Sequence, residues 1–131
     1  MKLNKKFRMA KQAASLSELN PAIGAAIYRG NKLVSIGCNK KKSHPLLANE
    51  DRFYSLHAEM TAILNAKQDL DGCDIFVYRE FRHNSQPALA KPCDDCMIVL
   101  LDQNLKRCYY TDNNRVEGYD MIKLKGYSDE M

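Results

Sequence analysis

The sequence lacks any run approaching the roughly 20 apolar residues that a membrane-spanning helix needs. Its opening, MKLNKKFRMAK, carries the charges of a secretory leader without the apolar stretch that should follow. Together these absences predict a cytoplasmic protein with no membrane partner. There is no low-complexity tract and no internal repeat, so neither disorder nor a solenoid is the default reading. An even set of cysteines is missing too. Five thiols in a chain with no export signal fit metal binding better than a disulfide framework. Nor is there room for two cores: 131 residues suit one domain over 1–131, since a second core would need roughly another hundred residues.

What is present is of ordinary globular composition, 45% hydrophobic and 27% charged, with a net charge of +4. The positive excess is uneven. Lys2, Lys5, Lys6, Arg8 and Lys11 cluster near the start, and Lys40, Lys41 and Lys42 form a run further on. Either group would attract an anion, and either also reads as a solvated face.

Apolar spacing orders the chain. Leu3, Phe7, Ala10 and Ala14 recur at steps of three and four, with Leu16 two residues on, which predicts an amphipathic helix over 2–19, ended by Asn20-Pro21. The partly β-branched runs 22–28 and 32–38, split by Arg29-Gly30-Asn31, predict a hairpin. Polar, aperiodic 39–54 reads as a loop. From Ser55 the helical period returns with Ala58, Ala62, Ile63 and Ala66, bounded by Asp69-Leu70-Asp71-Gly72. A third strand covers 74–78. Pro92 can open a helix, because its missing amide hydrogen has no partner there anyway, and apolar spacing continues it over 93–101. Strands over 105–111 and 121–124 finish the chain. This order predicts an α/β fold, a five-stranded mixed sheet covered by helices. Only 112–120 separates the last two strands, too little for a parallel crossover of a dozen or more residues, so they should pair antiparallel.

One constellation carries chemistry. His57 falls near a helix start, and Cys93 and Cys96 form a C-x-x-C at the start of another. Imidazole and thiolate bind Zn2+, and two thiolates three apart on a first helical turn can point at one metal. The positive end of the helix dipole favours thiolate there. Three protein ligands leave a fourth tetrahedral position to water, which zinc acidifies to a pKa of about 7. Glu59, two residues after His57, can neighbour the metal without binding it and move protons as general base and then acid. Taken singly, a C-x-x-C could be a redox pair or half of a structural zinc site. A closed site would need a fourth ligand, Cys73 or Cys108, and both read more simply as small core residues.

His57-Ala58-Glu59 and Pro92-Cys93-Asp94-Asp95-Cys96, in that order, match the H-x-E and P-C-x-x-C signature of zinc deaminases. On these residues the chain resembles the cytidine and deoxycytidylate deaminase superfamily, over roughly 22–111. The resemblance implies a three-layer α-β-α fold, zinc as the cofactor, and backbone contacts to the base from Ala58 and the Cys93 region. Gly37-Cys38-Asn39 looks like the family's G-x-N, which implies that Asn39 contacts the sugar or base. Family members commonly assemble into homo-oligomers. The pattern is mixed at two positions: Thr61 stands where deoxycytidylate deaminases often carry asparagine, and Leu89 where many polynucleotide deaminases carry a hydroxyl residue.

For the substrate, a nucleotide phosphate needs cations, and Lys40, Lys41 and Lys42 follow Asn39 while Arg79 and Arg82 open the connection to the zinc cysteines. The first expectation is a small-molecule pyrimidine nucleotide or nucleoside, dCMP foremost. The second is cytosine or adenine in single-stranded nucleic acid, with Phe53, Tyr54, Phe81 and His83 as stacking candidates. The third is a non-catalytic, zinc-stabilised binding module, which has no use for Glu59.

Overall fold

A computed structural model of the chain describes residues 3–19, 21–41, 55–80, 87–88, 90, 92, 94–111 and 119–124. The helices are α1 (Leu3–Ala14), α2 (Ala58–Ala66) and α3 (Asp94–Asp102). The strands are β1 (Ala22–Arg29), β2 (Lys32–Cys38), β3 (Lys40–Lys41), β4 (Ser55–Leu56), β5 (Asp74–Glu80), β6 (Pro87–Ala88), β7 (Arg107–Thr111) and β8 (Tyr119–Lys123). The main sheet runs β2-β1-β5-β7-β8, with β6 paired to β5. It is mixed, as the sequence suggested: β5 and β7 are parallel, whereas β1 with β2, β1 with β5, and β7 with β8 are antiparallel. The short link before β8 thus sets the direction of the last strand.

Side chains alternate across a strand, and that period sorts the core into two. Ala22, Ala26 and Tyr28 of β1, Phe76 and Tyr78 of β5 and Tyr109 of β7 share one face with Phe7, Ala10 and Ala14 of α1. Phe76 stacks on Tyr109 at 4.7 Å and takes the edge of Phe7 at 5.2 Å. The intervening residues Ala25, Ile27, Ile75, Val77, Cys108 and Tyr110 pack with Ala58 and Ala62 of α2 and Leu100 of α3. So α1 lies over one face, and α2 and α3 over the other.

Two glycines let the helices come close. A Cβ on Gly24 would run into the backbone of Ala10 and Ala14, and one on Gly37 into the amide nitrogen of Ala62 and the backbone of Thr61 and Ala58. Gly37 pairs with Ala25 and Gly24 with Cys38, which puts the two glycines on opposite faces, each under its own helix.

Several boundaries differ from the sequence reading. The first helix stops at Ala14 rather than near Leu19: the Ser15 hydroxyl donates to Gln12 O, Ser17 Oγ donates to Asn39 O, and Leu16 is 67% exposed. Residues 39–54 are not wholly loop. Lys40 pairs with Leu56 and Lys41 with Ser55, so Ser55 and Leu56 are extended and the second helix begins only at Ala58. Among the described residues the main sheet has six strands, one more than expected, because Pro87–Ala88 pairs with Arg79 and Glu80 of β5. Among the described residues no helix is long and apolar enough to cross a membrane.

Because α2 rests on Gly37 with no space for a methyl group, Gly37→Ala should destabilise the fold by about 2 kcal/mol or more through overpacking. Thermal unfolding should show a loss of roughly 5–10 °C in Tm. An unchanged Tm would contradict this packing.

Candidate active site

The strand directions bring chemistry to one edge. Cys38 is level with Gly24 and Tyr78, and Ala22 is level with Glu80, so the C-terminal ends of β2 and β5 share an edge, joined by that of parallel β7. The chain leaves β2 there towards α2, and leaves β5 there towards α3. Ligands of α/β sheets gather at such an edge, beyond the carboxyl ends of the strands.

His57 is the N-cap of α2, in extended conformation (φ −71, ψ 152), and makes no side-chain cap. Its carbonyl accepts both the Thr61 amide at 3.0 Å and the Thr61 hydroxyl at 3.1 Å. With its backbone pinned, the imidazole is free of capping duty, and Nδ1 lies 3.1 Å from Cys96 Sγ. Cys96 sits in the first turn of α3 and is fully buried. Met60 and Leu64 of α2 pack on Cys96 and Val99 of α3, which holds the two helix starts together.

Glu59 lies in the first turn of α2, only 5% exposed. Burial pushes its carboxyl up to about 7, against hydrogen bonds from its own backbone amide and from the Cys96 side chain that favour the charged form. Cys96 therefore faces both His57 and Glu59. Beneath them, burial and the negative charge of Glu59 hold the Cys108 thiol well above the usual range. Cys73 and Cys108 are fully buried core residues.

Of the residues singled out from sequence, His57, Glu59 and Cys96 converge. Cys93, Lys42 and Arg82 lie outside the described residues, as do Phe53, Tyr54, Phe81 and His83. Among the described residues no group of three His, Cys, Asp or Glu side chains could hold a metal ion. The pair that is described fits two corners of a zinc site. Zn–N of about 2.0 Å and Zn–S of about 2.3 Å at a tetrahedral angle place nitrogen and sulfur roughly 3.5 Å apart, close to the 3.1 Å seen.

The other candidates are placed as follows. Ala58, fully buried, is the first residue of α2, where a backbone N–H has no acceptor within the helix. Asn39 is buried, and its amide braces the start of β1: Oδ1 accepts the Ile23 amide at 2.9 Å and Nδ2 donates to Pro21 O at 3.0 Å. Lys40 is exposed, and the backbone of Lys41 continues β3. Arg79, half-buried, is level with Ile23 and donates its amide to Thr111 Oγ1. Asn39 and Arg79 thus flank Ile23 at the site edge. Sequence reasoning missed Thr61 as the clamp on His57. Its signal was the four-residue spacing at which a threonine hydroxyl can reach back to a carbonyl.

A mixed sheet with a His-x-Glu helix start against a cysteine-bearing helix start, closed over a buried carboxyl, defines a class of site found in hydrolytic deaminases. The model of the cytidine and deoxycytidylate deaminase zinc-binding region matches residues 1–112, and the chain belongs to that family. It is similar to an uncharacterised deaminase in the luxG 3′ region of Aliivibrio fischeri, with 32% identity over 111 residues, 79% of this chain and 67% of the relative. Its fold is similar to that of cytidine deaminase from Burkholderia pseudomallei, at TM-score 0.66 and 21% identity, covering 94% of this chain and 93% of that one. It is also similar to that of the dCMP deaminase of cyanophage S-TIM5 in complex with dCMP and dUMP, at TM-score 0.59 and 23% identity, covering 84% and 82%.

The elevated Glu59 pKa has a thermodynamic consequence in metal-stripped protein. A carboxyl whose folded pKa exceeds its unfolded value contributes stability that is fully present below the unfolded value and is lost as pH rises through the folded one. From 4.5 to about 7, the loss amounts to about 3 kcal/mol. Denaturant unfolding at pH 4.5 and at pH 8 should show the wild type losing that much more than Glu59→Gln; parallel pH dependences would contradict the assignment.

Proposed function

We propose that the chain is a zinc-dependent hydrolytic deaminase of a cytosine nucleotide or nucleoside, of deoxycytidylate type, acting as one domain. The observation that carries this reading is the approach of His57 Nδ1 to Cys96 Sγ beside the buried Glu59 carboxyl, at two helix starts on one sheet edge. His57, Cys93 and Cys96 would hold the metal, with a fourth position left to water. When bound, zinc supplies acidification of that water towards neutrality.

The protein's own groups do the rest. The Glu59 carboxylate takes a proton from the water and delivers it to the ring nitrogen beside the amine-bearing carbon. It then passes the second proton to the departing amine. Cytosine and water become the uracil form and ammonia, with atoms and charge balanced. Burial, which favours the neutral form of Glu59, suits a group that must return the proton it accepts. The Ala58 amide, at the start of α2 where an N–H has no acceptor within the helix, would donate to an acceptor on the base. Asn39 keeps a second N–H on Nδ2 and a second lone pair on Oδ1 for the sugar or base. Lys40, Lys41, Lys42, Arg79 and Arg82 would seat a phosphate at the same edge. The cyanophage relative crystallised with dCMP and dUMP supports a pyrimidine nucleotide as ligand.

Purified, zinc-loaded protein offered cytosine, cytidine, CMP, dCMP and a cytosine-bearing oligonucleotide should turn over dCMP best, read as the absorbance change on amine loss. Glu59→Ala should retain zinc and lose at least about a hundredfold in kcat; full turnover with zinc bound would end the proton-shuttle role. Replacing Lys40, Lys41 and Lys42 together with glutamine should raise KM for dCMP and leave KM for deoxycytidine unchanged. Equal effects on the two would remove the phosphate seat.

A further inference from the structure

The first 17 residues contain Lys2, Lys5, Lys6, Arg8 and Lys11 and no acidic residue; the first is Glu18. Helix α1 turns these charges to different uses. Lys6 is buried: Nζ donates to Gly30 O at 2.8 Å and lies over the rings of Tyr28 and Phe76. Lys5, Arg8 and Lys11 are exposed and three residues apart, so they follow one another around and along the outer face of the helix, together with exposed Asn4, Gln12 and Ser15. Helix stability selects only part of this placement, since Lys11 alone lies in the last turn, where the dipole favours a cation. The first turn carries Lys5 and Lys6 and no acid, where the helix dipole favours negative charge, and the described ion pair, Arg107 with Asp74, involves none of these residues.

We propose that the outer face of α1 is a docking surface for the phosphate backbone of single-stranded nucleic acid, separate from the deaminase site. From Lys5 to Lys11 is six residue steps, about 9 Å along the helix axis. Three cations over that length can meet neighbouring phosphates, since a nucleic-acid strand carries one negative charge at each nucleotide. Among the described residues the helix has no free apolar stripe: Phe7, Ala10, Ala13 and Ala14 are buried and Met9 packs against the core. A membrane-surface helix needs such a stripe to enter the lipid boundary, so polyanion chemistry rather than lipid fits this face. Since α1 covers the sheet face opposite α2 and α3, a strand held here leaves the site edge open to its substrate.

The test uses full-length, zinc-loaded protein and a labelled oligothymidylate of about twenty nucleotides, which carries no amine for the site to act on and whose affinity should fall with salt at a log–log slope of about −2 for three contacts. The triple variant Lys5→Gln, Arg8→Gln, Lys11→Gln should bind at least about tenfold more weakly at ~0.1 M salt and flatten that slope towards zero. Its Tm and its turnover of a monomeric nucleotide should stay at wild-type values. Replacing Lys40, Lys41 and Lys42 with glutamine should leave binding of the oligothymidylate intact. Failure of the wild type to bind, an unaltered salt slope in the α1 triple variant, or binding only to phosphatidylserine vesicles would overturn the proposal.

Discussion

Everything at the site edge depends on how closely α2 lies on the β1–β2 hairpin. Gly37 admits the α2 backbone to a distance that any Cβ would forbid, and Ser35 Oγ donates to Ala62 O at 2.8 Å one pair further along the strand. This contact fixes the height and rotation of α2 over the sheet, and so the positions of His57 and Glu59 at its start. α3 then has one place to go. Leu100 joins the core over the same face, and Val99 and Cys96 meet Met60 and Leu64. The approach of Cys96 to His57 follows from two helices seated on one sheet face and packed on each other through Met60, Leu64, Cys96 and Val99.

The carboxyl held there works against folding unless something uses it. A buried carboxylate with few partners is driven towards its neutral form, and Glu59 is buried among core residues with Cys108 beneath it. Arginine or lysine beside it would lower its pKa and stabilise the fold. Instead the described neighbours are a thiol and its own backbone amide. Groups whose environment shifts them to neutrality collect at functional sites, and here the shift comes from desolvation above all.

The parts of this arrangement visible in sequence were those that local chemistry determines. The hairpin strands could be read because two partly β-branched apolar runs flank Arg29-Gly30-Asn31, and the antiparallel β7–β8 pair because so short a link allows nothing else. His57, Glu59 and Cys96 could be singled out by residue type and spacing, and the structure brings the three side chains together. What was not visible depends on partners distant in the chain. Ser55 resembles a helix cap until Lys41 pairs with it. Pro87–Ala88 becomes a strand only because Arg79 and Glu80 offer an edge. Leu16, two residues past Ala14, lies outside α1 and is exposed, while Ser17 beside it is held by Asn39. Asn39 itself looked like a substrate contact, and its amide braces Pro21 and Ile23.

The most direct measurement is zinc K-edge X-ray absorption on the purified protein with and without dCMP. Two sulfurs at about 2.3 Å and two nitrogen or oxygen atoms at about 2.0 Å, one of them exchanging when nucleotide is added, are what a His57, Cys93, Cys96 and water site predicts. A shell filled by four protein ligands and unchanged by nucleotide, or a protein that retains no zinc, would contradict the account.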